Sequence, residues 1–192
     1  MKKRIAIFAS GGGTNAENFF EYFKNSPTIE ITALFSNNPQ AYALQRAKNH
    51  QIENQVFNRD QFYKSDKLLE LLQDREIDFI VLAGFLWLVP QSLVEAYPDR
   101  IINIHPALLP KYGGKGMYGM HVHEAVKGNG ETESGITIHL VNEVYDDGKV
   151  LFQQSTSLTT EDSPEKIAEK IHELEYRFFP EVVESYIEGF RN

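Results

Sequence analysis

Residues 4–15 read Arg4-Ile5-Ala6-Ile7-Phe8-Ala9-Ser10-Gly11-Gly12-Gly13-Thr14-Asn15, and the reading of this stretch decides the fold class. Ile5 to Ala9 is a short apolar run bounded at once by glycines, which predicts a buried first strand. Its apolar part is too brief for a signal peptide, although Lys2, Lys3 and Arg4 precede it. The glycines then let the chain turn tightly, and Thr14 to Lys24 is predicted helical. A strand, a glycine turn and a helix form the first unit of a β-α alternation.

The alternation continues along the chain. Ile29 to Phe35 is predicted as a strand, Tyr42 to Asn49 as a helix and Gln55 to Phe57 as a short strand. Asp60 to Arg75 reads as one long amphipathic helix with Leu68, Leu69, Leu71 and Leu72 on its apolar face. A strand at 78–83, a helix at 90–96 and a strand at 101–104 follow. This order implies a mainly parallel sheet covered on both faces. The pattern then changes. Val122 to Val126 reads as helical, and 135–142 and 149–158 read as two successive strands whose short connection makes them an antiparallel pair. A long helix closes the chain, with Ser163 as N-cap, Pro164 in the first turn, and Ile167, Ile171, Leu174 and Phe178 at helical spacing. Pro180 is expected to kink or interrupt it.

With 192 residues the chain fits one domain with a substantial core, spanning 1–192. Residues 112–119 read as a Gly-rich loop, not a domain boundary. The absence of cysteine excludes disulfides, thiolate nucleophiles and Cys-based metal sites. A net charge of −8 argues against a nucleic-acid partner, yet leaves room for a small anionic substrate in a local pocket. No apolar run approaches the roughly 20 residues needed to span a bilayer, so no membrane partner is expected and the cytoplasm is the expected compartment.

Three stretches carry candidate chemistry. In the first loop, glycines bring backbone N–H groups close to a ligand, the helix start adds partial positive charge, and Thr14 and Asn15 add donors, so the loop suits a phosphate. Its structural alternative is a glycine turn with Thr14 capping the helix. Gly11, Gly13 and Ala16 also satisfy G-x-G-x-x-A, but the second strand ends Ser36-Asn37-Asn38 without the carboxylate a dinucleotide ribose expects. A monophosphate fits better, with an NADP-type site left open. The second stretch is Asn103-Ile104-His105-Pro106. Residues two apart in a strand face the same way, and Pro106 ends the strand, so an amide and an imidazole project side by side at the mouth of a sheet, where α/β folds bind ligands. The third is Val144-Tyr145-Asp146-Asp147-Gly148, a favoured turn sequence whose carboxylate would raise the pKa of a neighbouring imidazole and fix its tautomer. His121, His123 and His139 suggest zinc, but residues two apart on a helix diverge, so no metal is expected.

Taken together, Ser10-Gly-Gly-Gly-Thr-Asn15, Leu82-Ala-Gly-Phe85, Asn103-Ile-His-Pro-Ala-Leu-Leu-Pro-Lys111 and Asp146-Asp-Gly148 stand in the order and spacing of the folate-dependent formyltransferases. The chain resembles that family from about residue 4 to about residue 188, and its phosphate loop resembles the members that formylate glycinamide ribonucleotide in purine biosynthesis. The resemblance implies a single Rossmann-like α/β domain, a mainly parallel twisted sheet flanked by helices with a late antiparallel strand pair and a long C-terminal helix. The N-terminal part would bind the phosphoribosyl amine and the C-terminal part the folate. It implies 10-formyltetrahydrofolate as formyl donor and no metal. Asn103 and protonated His105 would stabilise the oxyanion of a tetrahedral intermediate, with Asp146 assisting. Gly13, Thr14, Asn15, Ala16 and Glu17 would hold phosphate and ribose, and His172, Glu173 and Glu175 would reach the substrate from the last helix. Leu86, Trp87, Leu88 and Val89, together with Asn103, Asn142, Glu143, Val144, Tyr145 and Asp146, would line the folate pocket. The expected partners are these small molecules alone, with the chain a monomer or homodimer. Three features depart from the family pattern: Trp87 stands where Arg is common, the loop 112–121 is longer and richer in glycine, and Asp147 and Lys149 replace small or Pro residues. Two readings outside the family remain at this point, an NADP-linked oxidoreductase and a non-catalytic phosphometabolite-binding module.

Overall fold

Alternating apolar side chains on the strands fill two cores, one on each face of a single sheet. In β1 (Lys3–Phe8), Ile5 and Ile7 enter one core while Ala6 and Phe8 enter the other, as the two-residue period of a strand requires. The computed structural model describes residues 1–190. After β1 come α1 (Thr14–Phe23), β2 (Ile29–Ser36), α2 (Tyr42–Asn49), β3 (Glu53–Val56), α3 (Arg59–Tyr63), α4 (Lys67–Gln73), β4 (Phe79–Leu82), α5 (Gln91–Ala96), β5 (Ile101–His105), α6 (Met120–Gly128), β6 (Glu133–Leu140), β7 (Val150–Ser157) and α7 (Pro164–Gly189). The strand order is β3-β2-β1-β4-β5-β6-β7. The first five strands are mutually parallel, and β6 and β7 each run antiparallel to their neighbour.

This topology fixes where a ligand can sit. The chain winds outward from β1 through β2 to β3, then returns to the other side of β1 with β4. The connections therefore leave β1 and β4 in opposite directions, opening a crevice at the carboxyl ends of these strands. The loop 9–13 and the loop 83–90 emerge there, joined by Ser10 N–H to the Gly84 carbonyl at 3.0 Å. The end of β5 lies beside them.

Three expectations change. The helix foreseen over 60–75 is two helices separated at Lys64–Asp66. At about 100° per residue, Phe62 in a continuous helix would point about 120° away from Leu68. The break brings Phe62, Leu68 and Leu72 into one core. An Asn58/Gln61 capping box starts the first piece. The third strand occupies Glu53–Val56 instead of 55–57, paired with Ala33 to Ser36 of β2. Finally, α7 runs uninterrupted through Pro180. A proline there removes the N–H that would bond the carbonyl of Tyr176; the side-chain amide of Asn18 on α1 donates to that carbonyl instead, at 2.9 Å.

Candidate active site

The crevice holds a cavity of about 710 Å³, within the range of small-molecule sites. The first loop forms one part of its wall. Gly13 is the N-cap of α1, with φ 72°; a Cβ there would lie 2.5 Å from the Cβ of Ala43, so both the backbone and the space require glycine. Thr14 is the first helical residue, not the cap, and no side chain caps this helix. Its hydroxyl and the first-turn N–H groups are left for a ligand.

Asn15 is buried against α7, where its amide donates to Oε2 of Glu175 at 2.9 Å while its own Oδ1 has no partner. Glu175 is 6% exposed. Burial pushes its carboxyl up, against the opposing pull of Asn15 and His172. His172 and Glu175 both line the cavity. Three neighbours expected in this group do not. Ala16 is fully buried in the core. Glu17 turns to α2, where it pairs with Arg46 and approaches His50 at 3.4 Å. Glu173 is exposed on α7, roughly 200° around the helix from Glu175.

Leu86, Trp87, Leu88 and Val89 also line the cavity, as do Asn142, Val144 and Tyr145, while Glu143 is exposed and outside it. Trp87 stands in an aromatic cluster, its ring 5.6 Å from that of Phe62 and 5.9 Å from that of Tyr63. The guanidinium of Arg59 lies 5.8 Å over the indole, a cation–π contact. A positive group therefore lies behind Trp87, outside the cavity lining, where Trp87 replaces the arginine common in the resembled family. Lys115, on the Gly-rich loop, is the one lysine or arginine among the described residues lining the cavity.

Asn103, His105 and Asp146 meet at the centre. β5 places Asn103 and His105 on one face. Asp146 arrives from the β6–β7 turn in a left-handed conformation, φ 55°. The turn closes tightly because Gly148 approaches the Leu140 carbonyl where a Cβ would lie 1.7 Å away. Asp146 Oδ2 is 3.5 Å from Nδ1 of His105 and accepts from the Gly114 N–H at 2.8 Å. The Nε2–H of His105 donates to the Tyr112 carbonyl at 2.7 Å. Burial pushes the His105 imidazolium below the ordinary histidine value, outweighing the Asp146 carboxylate and the Tyr112 carbonyl, which favour the cation. Burial pushes Asp146 up, but His139, His105 and the Gly114 N–H together hold its carboxyl below the usual aspartate value. The pair at rest is thus an ionised carboxylate beside an imidazole poised to take a proton.

His139, one of the three histidines whose pattern suggests zinc, completes the cluster. Antiparallel pairing of β6 with β5 sets it opposite Asn103. Its Nδ1–H donates to the Leu140 carbonyl at 2.8 Å, which leaves Nε2 to accept from the Asn103 amide at 3.1 Å. Nε2 is also 3.7 Å from Asp146 Oδ1. Only the β5–β6 register reveals this role, and the sequence pattern carries no direct signal of it. His121 and His123 diverge on α6. His121 is exposed, whereas His123 lines the cavity and is held to about 4 by burial and by the neighbouring His172 and His105. No group of three potential metal ligands occurs among the described residues, and no helix among them is long and apolar enough to cross a membrane.

Comparison with known proteins identifies the family. Residues 3–183 match the family described as formyl transferase. The chain is 39% identical over 188 residues to the chloroplastic phosphoribosylglycinamide formyltransferase of Arabidopsis thaliana, covering 95% of this chain and 64% of that protein. It spans a similar 62% of the chloroplastic enzyme of Vigna unguiculata, so it accounts for less than two thirds of these plant relatives. It is 35% identical to the phosphoribosylglycinamide formyltransferase of Haemophilus influenzae, covering 97% of this chain and 88% of that one. The crystal structure of the phosphoribosylglycinamide formyltransferase of Bacillus halodurans superposes with a TM-score of 0.87 at 35% identity, over 99% of this chain and 98% of that one. By sequence and by fold, the chain belongs to the formyl transferase family.

Proposed function

We propose that the chain transfers the formyl group of 10-formyltetrahydrofolate to the amine of glycinamide ribonucleotide, a step of purine biosynthesis. The observation that carries this reading is the convergence of Asn103, His105 and Asp146 in one cavity. The Gly11–Asn15 loop suits the substrate phosphate, Glu175 and His172 suit the ribose, and the apolar slot at 86–89 suits a flat pterin ring. Lys115 supplies a fixed positive charge for these anionic substrates in a cavity that also carries Asp146 and Glu175.

The amine attacks the formyl carbon, a C–N bond forms, and charge develops on the former carbonyl oxygen. Asn103 keeps one amide N–H free after bonding His139 and donates it to that oxygen. The attacking nitrogen loses a proton, which Asp146 and a water relay to Nδ1 of His105. With Nε2–H on the Tyr112 carbonyl and the new Nδ1–H toward Asp146, the imidazolium stabilises the oxyanion through its positive charge, while Asn103 supplies the hydrogen bond. As the intermediate collapses, the bond to folate N10 breaks and the proton passes to that nitrogen. The proton balance is zero, and the positive charge exists on His105 only while the negative one exists on the intermediate. This reconciles a buried, neutral resting histidine with an acid in the reaction.

The test is a spectrophotometric assay with 10-formyl-5,8-dideazafolate and glycinamide ribonucleotide. Steady formation of the deformylated folate, dependent on the ribonucleotide, supports the reading. Absence of transfer from a folded protein that binds both ligands overturns it.

A further inference from the structure

We propose that Tyr112 is a positioning residue that assigns the working nitrogen of His105, and that Glu131 and Asn129 hold it in place for that purpose. This rests on His105 being the acid/base group of the reaction proposed above. Tyr112 is not glycine, yet it adopts φ 57°, a left-handed conformation costly for a bulky side chain. That conformation turns its carbonyl onto Nε2 of His105 at 2.7 Å. The phenol is held at its far end. Its O–H donates to Oε1 of Glu131 at 2.9 Å and accepts from the Asn129 amide at 3.0 Å. Glu131 is anchored in turn by Lys111 at 3.0 Å. Asn129 and Glu131 come from the connection between α6 and β6, Lys111 precedes Tyr112 in the chain, and all three lie outside the main cavity.

The consequence is a choice of tautomer. A neutral imidazole has one N–H and one lone pair. The ring meets two groups that can only accept, the Tyr112 carbonyl at 2.7 Å from Nε2 and the Asp146 carboxylate at 3.5 Å from Nδ1; the nearer carbonyl makes the hydrogen bond, holds the proton on Nε2 and leaves the lone pair on Nδ1. Nδ1 is the nitrogen 3.5 Å from Asp146. Proton uptake is thereby confined to the nitrogen that faces the carboxylate. Without the tyrosine clamp the backbone can relax from its left-handed conformation, both tautomers become populated, and the Nδ1–H form has no lone pair beside Asp146. Two residues that bracket His105, Tyr112 and Asp146, thus share the same uncommon backbone conformation, each fixing one ring nitrogen.

The experiment is a long-range ¹H–¹⁵N NMR titration of the histidine rings in the full chain, for wild type, Tyr112→Phe and Glu131→Ala, alongside steady-state kinetics. His105→Gln identifies the His105 signals. The wild type should show a single Nε2–H tautomer at neutral pH. Both variants should show a mixture of tautomers and an altered His105 midpoint, with kcat about tenfold lower and KM for both substrates little changed. Glu131→Gln, which keeps an acceptor for the phenol, should restore most of the loss. An Nδ1–H tautomer in the wild type, or an unchanged tautomer and kcat in both variants, overturns the proposal. Because the titration needs no turnover, a wild type with a fixed Nε2–H tautomer but no formyl transfer would support the assignment for His105 while overturning the proposed reaction.

Discussion

Replacing Asp146 by Asn removes one negative charge while preserving shape and an acceptor for the Gly114 N–H. The carboxylate lies 3.5 Å from Nδ1 of His105, and its side chain is 10% exposed. At an effective dielectric constant of about 20, a unit pair about 4 Å apart interacts by about 4 kcal/mol. Cavity water and the Asn dipole recover part of that. The remaining loss of about 3–4 kcal/mol in stabilising the transient imidazolium corresponds to a decrease of about 10²–10³-fold in kcat. The charge on His105 is absent in the resting complex, so KM for either substrate should change little. The ring should also titrate lower, since the largest influence favouring its cation is gone. Steady-state kinetics with the dideazafolate donor read the rate, and histidine NMR reads the titration. A variant with kcat within about threefold of wild type would refute the role assigned to Asp146.

Gly13→Ala must place a Cβ 2.5 Å from that of Ala43 at φ 72°. A loss of about 2–3 kcal/mol in chemical denaturation is expected, with a raised KM for the ribonucleotide and an unchanged KM for folate. Glu175→Gln should stabilise the empty protein at neutral pH. Burial raises the folded-state value of this glutamate, so the folded protein holds the proton more tightly and stability falls as pH rises above the ordinary glutamate value of 4.5. The melting-temperature gap between variant and wild type should therefore widen with rising pH and close below that value, while ribonucleotide binding weakens in the variant. Asn18→Ala strips the Tyr176 carbonyl of the donor that replaces the N–H absent at Pro180. A loss of about 1 kcal/mol is expected, with kinetics unaffected; wild-type stability would show that water serves equally well.

The alternation of short apolar strands with helices was legible because β1, β2, β4 and β5 are parallel and largely buried, and their flanks carry glycine or proline; β3, exposed to half-buried and without such flanks, was placed two residues late. Asn103 and His105 were legible because a strand period places them on one face and Pro106 ends the strand. Asp146 could be tied to them only through family resemblance, since 41 positions separate it from His105 in the chain and a turn sequence alone has no address in space. His139 needed the β5–β6 register, a tertiary fact. Helix phase was the clearest failure. The leucines of 68–72 gave the right face for α4, but Phe62 belongs to a separate helix whose break serves the core and is not written as a proline or glycine. Glu17 and Glu173 show the complementary limit: sequence neighbours of cavity-lining residues lie a few steps around a helix and face elsewhere.

The proposed transfer requires a histidine that is neutral in the empty site and charged while a nascent oxyanion exists. Its most direct measurement is the NMR titration of His105 in the free protein and with a folate analogue whose aldehyde hydrates to a tetrahedral diol, bound beside the ribonucleotide. A midpoint below the usual histidine range when free, moving upward in the complex with the proton added at Nδ1, is the predicted result. A His105 that is already charged when free, or that stays neutral against the tetrahedral mimic, would contradict it.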